Sequence, residues 1–249
     1  MCGISGFLSK TNLAANSFDI LNKMGMAINS RGPDSSGVWM DDISKVGFAH
    51  RRLAVIESTS AGSQPMHSYL SRYVIVFNGE IYNHLDLRYE LVAKIPDIEW
   101  VGNSDTETLL ACFELWGIKS TIKKTIGMFA FAVWDRKKKR LTLGRDRLGE
   151  KPLYYGWQGD TFLFGSELKA LKQHPSFGNE INRHSITLLL RHRFVPAPYS
   201  IFVGIKKLLP GHLLSISLAD FSSEYFQYWS IIDAVDKGKS NPFSGTREL

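Results

Sequence analysis

The sequence predicts an α+β fold built on antiparallel sheets. Short apolar or β-branched segments cluster through the first two-thirds of the chain, and helices do not separate them one by one as in a parallel α/β fold. Two polar connections, at residues 134–136 and 157–160, join successive strand-like segments closely enough to form hairpins. Helical periodicity is confined to a few short stretches. These patterns favour hairpin-linked strands with helices packed against them.

Each predicted element depends on its own local pattern. A helix over 105–116 has Ser104 or Asp105 as its N-cap, Glu107 in its first turn and Gly117 after its end. The other helices are predicted from apolar residues that recur every three or four positions, at 18–29, 85–93, 167–172 and 185–191. Strands are predicted where apolar or β-branched runs lie between Gly, Asp or Asn, at 4–9, 45–50, 73–78, 128–134, 140–145, 153–156 and 161–166.

Composition limits the class of protein. Of the 249 residues, 44% are hydrophobic, which is enough for a sizeable core and excludes a disordered or fibrous chain. The longest apolar run, 128–134, is far shorter than the ~18 residues that a membrane helix needs. No basic segment precedes a long apolar stretch at the amino terminus, so no secretory signal is predicted. With only Cys2 and Cys112, far apart, we expect a reduced, cytoplasmic protein without disulfides.

The net charge of +6 raises the question of nucleic-acid binding. The densest basic run, at 136–140, lies between two strand-like segments. Such a run is typical of a solvated hairpin tip that discourages edge-to-edge pairing of strands. A basic nucleic-acid-binding module is therefore kept only as an alternative, and we expect no nucleic-acid partner.

Cys2 follows the initiator methionine and is the first candidate nucleophile. Removal of Met1 leaves a thiol and a free α-amino group on the same Cα atom. An ordinary α-amine has a pKa of about 7.7–8.0, which suits it to accept a thiol proton near neutral pH. A nucleophile and its base are then combined in one residue. A small second residue is also common by chance, so this feature alone does not assign a function.

Several further motifs occur in one order along the chain. They are MCGI at 1–4, RGPDSSG at 31–37, HRRL at 50–53, FNGEIYNH at 77–84 and SDTE at 104–107. In this combination the chain resembles the glutaminase domain of class II glutamine amidotransferases, which are N-terminal nucleophile hydrolases. GMFAFA at 127–132 and GRDRLGEKPLYY at 144–155 narrow the resemblance to glutamine-hydrolysing asparagine synthetases and their close relatives. The resemblance extends from residue 1 to about residue 230.

The resemblance implies a role for each matching residue. Cys2 would attack the side-chain carboxamide of glutamine, and the Asn78 side chain with the Gly79 N–H would hold the oxyanion. Arg52 would pair with the substrate α-carboxylate, for which a planar guanidinium is well suited. Asp105 would receive the α-ammonium group. The rest of the glutamine pocket would come from the Glu80 side chain and the backbone of Leu53, Ala54, Val55 and Ile56.

Plainer interpretations stay open for the same residues. Asn78 and Gly79 fit a type I′ turn after a strand at 73–77, and in the family that turn would aim the donors. Arg52 fits a surface ion pair, and a shift by one position would give its role to Arg51. Asp105 fits a helix N-cap. Elsewhere, Cys112 is predicted in the core, His50 and His84 as structural hydrogen-bonding residues, and 225–229 as a packing segment.

The resemblance also implies an architecture and an organisation. The fold would be a four-layer αββα sandwich, with residues 1–230 as the glutaminase domain and 231–249 as a polar linker toward a synthetase domain. The SGG(L/I)DSS pyrophosphate loop of that domain is not in these 249 residues, so ATP and magnesium are expected only there. No cofactor or metal is expected in residues 1–230.

The expected partners follow from the same resemblance. They are L-glutamine and a synthetase domain in cis or in trans, with a homodimer also possible and no membrane contact. The acceptor of the ammonia, aspartate or another carboxylate such as a sugar acid, stays open. The alternative enzymatic function is hydrolysis of a different amide by the same nucleophile.

Overall fold

The computed structural model describes residues 1–55 and 57–242; Ile56 and residues 243–249 lie outside the described part. The strands are β1 (Gly3–Ser9), β2 (Ser35–Asp41), β3 (Val46–Arg52), β4 (Met66–His67), β5 (Tyr73–Ile81), β6 (Gly127–Asp135), β7 (Arg140–Arg145), β8 (Tyr154–Gln158), β9 (Thr161–Gly165), β10 (Lys206–Lys207), β11 (His212–Ser217) and β12 (Ser223–Gln227). The helices are α1 (Ser17–Met26), α2 (His84–Val92), α3 (Asp105–Trp116), α4 (Ile118–Lys124), α5 (Leu168–Leu171), α6 (Arg183–His192) and α7 (Ile231–Ser240).

The strands form two six-stranded sheets. Sheet A has the order β10-β8-β9-β1-β3-β2, and sheet B has the order β12-β11-β7-β6-β5-β4. Every pairing between the named strands is antiparallel. The predicted antiparallel α+β class is confirmed.

Three apolar clusters lie between the four layers of the fold and pack them together. The central cluster joins the two sheets, with Ile4 and Phe48 from sheet A against Val76 and Ala132 from sheet B. A second cluster packs α1 and α5 on the outer face of sheet A. The third packs α2, α3 and α4 on the outer face of sheet B. Each fully buried large side chain contributes roughly 1.5–3 kcal/mol, so this layering supplies the main stabilisation. The layers have the predicted order αββα.

Helix α3 shows how local sequence places an element against the core. Ser104 is its N-cap, because the Ser104 side chain accepts a hydrogen bond from the Glu107 N–H at 3.2 Å. The helix ends at Gly117, whose φ of +76° favours glycine. Between them, Leu109 and Phe113 are buried against sheet B. The interpretation of Asp105 as the cap is wrong: Asp105 is the first helical residue, and its side chain is free for another role.

The alternation of side chains across the two sheets determines what meets in the centre. In β5, Val74 and Val76 face sheet A, whereas Ile75 and Phe77 face the helices. Ile4 of β1 likewise faces sheet B. Even-numbered residues of both strands therefore face the space between the sheets near the site.

Other predictions fare differently. Both predicted hairpins are confirmed as the β6–β7 and β8–β9 connections. The basic run caps the first hairpin, where Lys139 donates to Ser44 Oγ and Arg140 pairs with Glu224. The predicted turn at Asn78–Gly79 is wrong, because both residues lie inside β5 and pair with Ala130 and Phe129 of β6.

Several elements carry too little pattern to be predicted. They are β2, β4, β10, β11, β12, α4 and α7. The segment expected as a polar linker begins with α7, all of whose residues are exposed. The remainder of that segment, from residue 243 onward, lies outside the described residues.

Within residues 1–55 and 57–242, no helix is both long and apolar enough to cross a membrane. The same residues contain no group of three or more His, Cys, Asp or Glu side chains that could hold a metal ion.

Candidate active site

A cavity of about 290 Å³ opens at one end of the sandwich. Its wall is assembled from the residues before β1, the loop after β3, the end of β5, the start of α3 and the loop before β8. Ligand pockets for drug-sized molecules span roughly 300–1,000 Å³, so this volume suits one amino acid. Of the predicted site residues, the cavity wall includes Cys2, Arg52, Leu53, Val55, Asn78, Gly79, Glu80 and Asp105.

Cys2 is held at the cavity by its neighbours on both sides. Its Sγ atom accepts a hydrogen bond from the Leu53 N–H at 3.4 Å and lies 3.6 Å from the Leu53 carbonyl oxygen. Its carbonyl oxygen accepts from Arg31 Nε at 2.9 Å, and Arg31 pairs with Glu167 at 2.9 Å. The thiol is therefore fixed between the ends of β1 and β3, and it is half-buried.

Asn78 presents an unused donor to this space. It is an even-numbered residue of β5, so its side chain points from sheet B toward sheet A, as those of Val74 and Val76 do. The residue is buried, and its Nδ2 atom has no hydrogen-bond partner among the described residues. A buried amide N–H₂ without an acceptor is costly and rare in native proteins, so the position is suited to receive an oxyanion.

The Gly79 N–H is the second donor at this edge. Directly after β5, the Tyr82 N–H donates to the carbonyl oxygen of Ile126 on the β6 side, so the odd-numbered amides of β5 face the opposite edge. Strand β4 begins at Met66, opposite Ile75, and does not reach this part of β5. Side chains occupy the flanking odd positions: Gln64 Oε1 accepts from Phe77 N at 2.6 Å and Asp105 Oδ2 from Ile81 N at 2.9 Å. The Gly79 amide lies between them and faces the cavity.

Position 79 requires glycine because a larger side chain would not fit there, and not because its φ angle is positive. A Cβ atom there would lie 2.6 Å from the Phe129 Cα and closer still to the Met128 carbonyl oxygen. Both are backbone atoms of β6 and cannot move aside cheaply. The close approach of β5 to β6 therefore depends on this residue.

Arg52, and not Arg51, lies in the cavity wall. Val46, Phe48 and then Arg52 occupy the inward positions of β3, whereas Arg51 points outward and donates to the Gly25 carbonyl of α1 at 3.3 Å. The Arg52 guanidinium is buried.

The Arg52 contacts bear on its two interpretations. The side chain donates to the carbonyl oxygens of Thr59, at 2.8 Å, and of Glu57. It forms no ion pair with any residue in the described part of the chain, so the surface-ion-pair interpretation is wrong.

Asp105 is the buried carboxylate of the site. Its Oδ2 accepts from Ile81 N at 2.9 Å, and its Oδ1 from the Thr106 hydroxyl at 3.3 Å. Burial raises the pKa of Asp105 above the ordinary range, although these hydrogen bonds and His84 act in the opposite direction. The carboxylate keeps free lone pairs toward the cavity and can receive an ammonium group.

The loop after β3 supplies part of the wall. Leu53 and Val55 line the cavity, as does Glu80 from β5. Ala54 does not, because its N–H is directed away to Asp34 Oδ2 at 2.8 Å. Ile56 lies outside the described residues.

Sequence reasoning missed several lining residues, among them Gln64, Glu57 and Lys151. Gln64 bridges β5 and α3. Glu57 accepts from Thr59 Oγ1 at 2.6 Å and from Asn103 N at 3.0 Å, which joins its loop to the start of α3. The Thr59 hydroxyl and amide with the Asn103 amide lower the pKa of Glu57 to about 2. Lys151 belongs to GRDRLGEKPLYY, a motif that narrowed the family resemblance but for which no chemical role was predicted.

Two predictions of a structural role, for His50 and Cys112, are confirmed. His50 is a structural residue: its Nε2 lies 3.1 Å from the Phe77 carbonyl oxygen, and burial lowers its pKa to about 4. A neutral imidazole that donates from Nε2 satisfies this contact. Cys112 is buried in the helical layer, and burial raises its pKa to about 12, so it is a core residue.

Curated relatives resemble this chain at moderate identity. The chain is 37% identical over 234 residues to "Asparagine synthetase [glutamine-hydrolyzing] 3" of Bacillus subtilis, which covers 93% of this chain and 37% of that protein. It is 33% identical over 251 residues to "Putative asparagine synthetase [glutamine-hydrolyzing] 2" of Methanocaldococcus jannaschii, covering 94% of this chain and 47% of that protein. The chain thus spans between a third and a half of these relatives.

A solved structure shares the fold. The glutamine phosphoribosylpyrophosphate amidotransferase of B. subtilis superposes with a TM-score of 0.63 at 19% identity, over 92% of this chain and 49% of that one. The fold comparison supports the four-layer architecture independently of the sequence. The family of glutamine amidotransferase domains, in turn, matches residues 1–229. This chain is therefore a member of the glutamine amidotransferase domain family.

Proposed function

We propose that this chain hydrolyses L-glutamine to L-glutamate and ammonia, with Cys2 as the nucleophile once Met1 has been removed. The observation that carries the proposal is the arrangement of Cys2 opposite two uncommitted donors, Asn78 Nδ2 and the Gly79 N–H, in one cavity. A nucleophile facing such donors is the arrangement that acyl transfer requires.

In the first half-reaction, Cys2 Sγ attacks the Cδ carbon of glutamine as the α-amino group of Cys2 takes the thiol proton. The carbonyl oxygen becomes an oxyanion, which accepts from Asn78 Nδ2 and Gly79 N. The C–N bond then breaks, the ammonium of Cys2 returns its proton to the leaving nitrogen, and ammonia departs. A γ-glutamyl thioester remains on Cys2.

In the second half-reaction, water attacks the thioester carbon and gives a proton to the same α-amino group. The oxyanion forms again between the same donors. Its collapse breaks the C–S bond, glutamate leaves, and the proton returns to the thiolate. No redox partner or metal is required for this sequence of steps.

Recognition of the amino-acid end falls to two charged groups. Arg52 pairs with the α-carboxylate, and its hydrogen bonds to loop carbonyls hold the guanidinium in place. Asp105 pairs with the α-ammonium group. Leu53, Val55 and Glu80 complete the walls around the substrate. A substrate without both charges would leave a buried charge unpaired, which disfavours simple amides.

We further propose that the ammonia serves an ATP-dependent amidation of the asparagine-synthetase type. This proposal draws on the names of the relatives, which are two to three times as long as the matched region. Residues 1–230 are then the glutaminase domain, and residues 231–249 are a linker. The synthetase domain either follows this linker in the same protein or belongs to a separate partner chain. ATP and magnesium act in that other domain, in the cytoplasm.

The direct test is covalent labelling with the glutamine analogue 6-diazo-5-oxo-L-norleucine. Processed chain, with loss of Met1 verified by mass spectrometry, is expected to gain one equivalent, located at Cys2 by peptide mapping. Buried Cys112 is the internal control and stays unmodified. Cys2→Ala should show no adduct and no ammonia release at an unchanged melting temperature. Absence of the adduct in processed wild-type chain contradicts the proposal, as does turnover above a tenth of wild type in Cys2→Ala.

Competition separates glutamine from other amides. Glutamine is expected to protect Cys2 from the analogue, whereas asparagine at the same concentration is not. Equal protection by both contradicts the assignment of glutamine as the substrate.

A further inference from the structure

Lys151 lies beside the nucleophile and has no role in the steps described so far. The residue is buried, lines the cavity with Cys2, and its Nζ atom contacts Met1 Sδ at 3.3 Å. It forms no ion pair with any residue in the described part of the chain. A buried lysine ammonium without a carboxylate is unfavourable, and proteins rarely keep one without a function.

The loop that carries Lys151 is built rigidly. Asp146 Oδ2 accepts from the N–H groups of Lys151 at 3.0 Å and of Phe129 at 3.2 Å. Its Oδ1 accepts three more N–H groups from the residues at 148–150. Arg145 crosses the same loop and donates to the carbonyl oxygens of Lys151 at 2.8 Å and Gly149 at 2.6 Å.

This loop therefore accounts for the motif GRDRLGEKPLYY. The side chains of Arg145 and Asp146 hydrogen-bond to backbone groups of the loop, so neither extends its charged group into the cavity. The loop is anchored to β6 through Phe129, the strand that pairs with Gly79. What the motif presents to the cavity is the Lys151 side chain.

Removal of Met1 changes the surroundings of that side chain. The Met1 thioether is lost, and a new α-amino group is formed on Cys2. This amino group lies no farther from the position of the Met1 Sδ atom than the length of one methionine. Lys151 Nζ then borders the space that Met1 occupied, in the cavity wall that also contains Cys2. The other charged groups around this position are Arg31 with its partner Glu167, Arg52, and the lining carboxylates Glu57, Glu80 and Asp105.

We propose that Lys151 is a positioning residue that acts through Cys2: its ammonium lies beside the freed α-amino group and keeps that group neutral and able to accept the thiol proton. The proposal rests on Cys2 being the nucleophile of the proposed function. A nearby like charge disfavours the protonated amine, and the same positive charge favours the thiolate. Both effects extend activity toward lower pH.

The test compares Lys151→Met, which keeps the length without the charge, with Lys151→Arg, which keeps the charge. In processed Lys151→Met chain, the acidic limb of kcat/KM for glutamine is expected to move up by about one pH unit. Activity then falls about tenfold at pH 6.5 and returns to near wild type at pH 9. Lys151→Arg should follow the wild-type profile. The matched control is Lys138→Met on the exposed hairpin tip, with no expected change.

A second readout does not depend on turnover. Alkylation of Cys2 by iodoacetamide, measured by peptide mass spectrometry against pH, should show its midpoint raised by about one unit in Lys151→Met. Superimposable profiles for Lys151→Met and wild type in this assay overturn the proposal, as does equal impairment by Met and Arg. If processed wild-type chain alkylates at Cys2 but does not turn over glutamine, the proposed function fails, and this assay still decides the role of Lys151.

Discussion

Cys2 and Asn78 face each other from opposite sheets. Cys2 continues the inward-facing positions of β1 that include Ile4, and Asn78 continues those of β5 after Val76. The proposed nucleophile thus lies at the start of sheet A, directly before β1, and the side-chain donor lies in sheet B. Their separation is set by the packing between the sheets and by the contacts that hold Cys2, directly before β1, to Arg31 and Leu53.

Replacing the donor should slow chemistry without weakening binding. Asn78→Ala removes an interaction made only with the oxyanion, so we expect kcat to fall by about 10²–10³ with KM within a few-fold of wild type. The measurement is steady-state ammonia release. Asn22→Ala, on an exposed helix position, is the control. A loss confined to KM would assign Asn78 to ground-state binding and contradict the oxyanion role.

Gly79→Ala tests whether β5 needs its close approach to β6. The added methyl group meets backbone atoms of Met128 and Phe129, so we expect a loss of about 2–3 kcal/mol in unfolding free energy and a melting temperature lower by roughly 5–10 °C. Gly238→Ala is the matched control, because nothing lies within 4 Å of its Cβ position in exposed α7. Equal melting temperatures for the two variants would show that the strands can separate at no cost.

Asp105→Asn separates charge from hydrogen bonding. The amide oxygen can still accept from Ile81 N, but the pairing with a substrate ammonium is lost. Removing one member of a buried charged contact costs about 2–3 kcal/mol, so we expect KM for glutamine to rise by roughly 30–100-fold, with a smaller effect on kcat. Asp19→Asn, exposed on α1, is the control.

The pH dependence of binding provides a second check of Asp105. Burial raises the pKa of Asp105, so its protonation weakens glutamine binding at a higher pH than that of an exposed aspartate would. KM of the wild-type chain should therefore rise as the pH falls, and KM of Asp105→Asn should stay flat over the same range. A parallel rise in both proteins would remove Asp105 from substrate recognition.

His50 makes the fold sensitive to acid. Its pKa is about 4 in the folded chain against 6.5 when unperturbed, so between these values the unfolded state binds the extra proton. The contribution to stability is complete above pH 6.5 and is lost as the pH falls toward 4. At pH 5 this loss amounts to about 2 kcal/mol.

The comparison with His50→Gln isolates this contribution, because titration of all other groups cancels. The glutamine amide can still donate to the Phe77 carbonyl oxygen. We expect denaturant unfolding of wild type between pH 7.5 and 5 to lose about 2 kcal/mol more than the variant does. His192→Gln, exposed at the end of α6, should behave as wild type. Identical pH slopes for wild type and His50→Gln would show that His50 is charged in the fold.

Hydrophobic pattern predicted the fold where it was strong. The strands with apolar runs and the helix capped by Ser104 lie where their patterns place them, within a few residues. The run SSGVWMD of β2 and the short β4 and β10 have no such pattern, because their stability comes from the strands beside them. Helix α7, with no buried residue, has no core-facing stripe to predict.

The site divides along a similar line. Alternation in β3, with Val46 and Phe48 inward, decides between Arg51 and Arg52 without a structure. The dipeptide Asn78-Gly79 misleads, since asparagine followed by glycine favours a turn in isolation but here is held straight by pairing with β6. Lys151 could not be placed from sequence, because its proximity to Cys2 arises only from the path of the loop before β8.

The layered build has a consequence for how activity is lost. The thiol and the guanidinium belong to sheet A, the amide donors to sheet B, and the carboxylate of Asp105 to the outer helices. The two sheets are held together mainly by the central apolar cluster, with a few hydrogen bonds such as that between His50 and Phe77. If the two sheets shift or move apart while their strands stay paired, the groups of the site no longer lie close enough to react. We therefore expect heat or mild denaturant to abolish activity when the packing between the two sheets is lost, at a lower temperature or denaturant concentration than that at which the secondary structure unfolds.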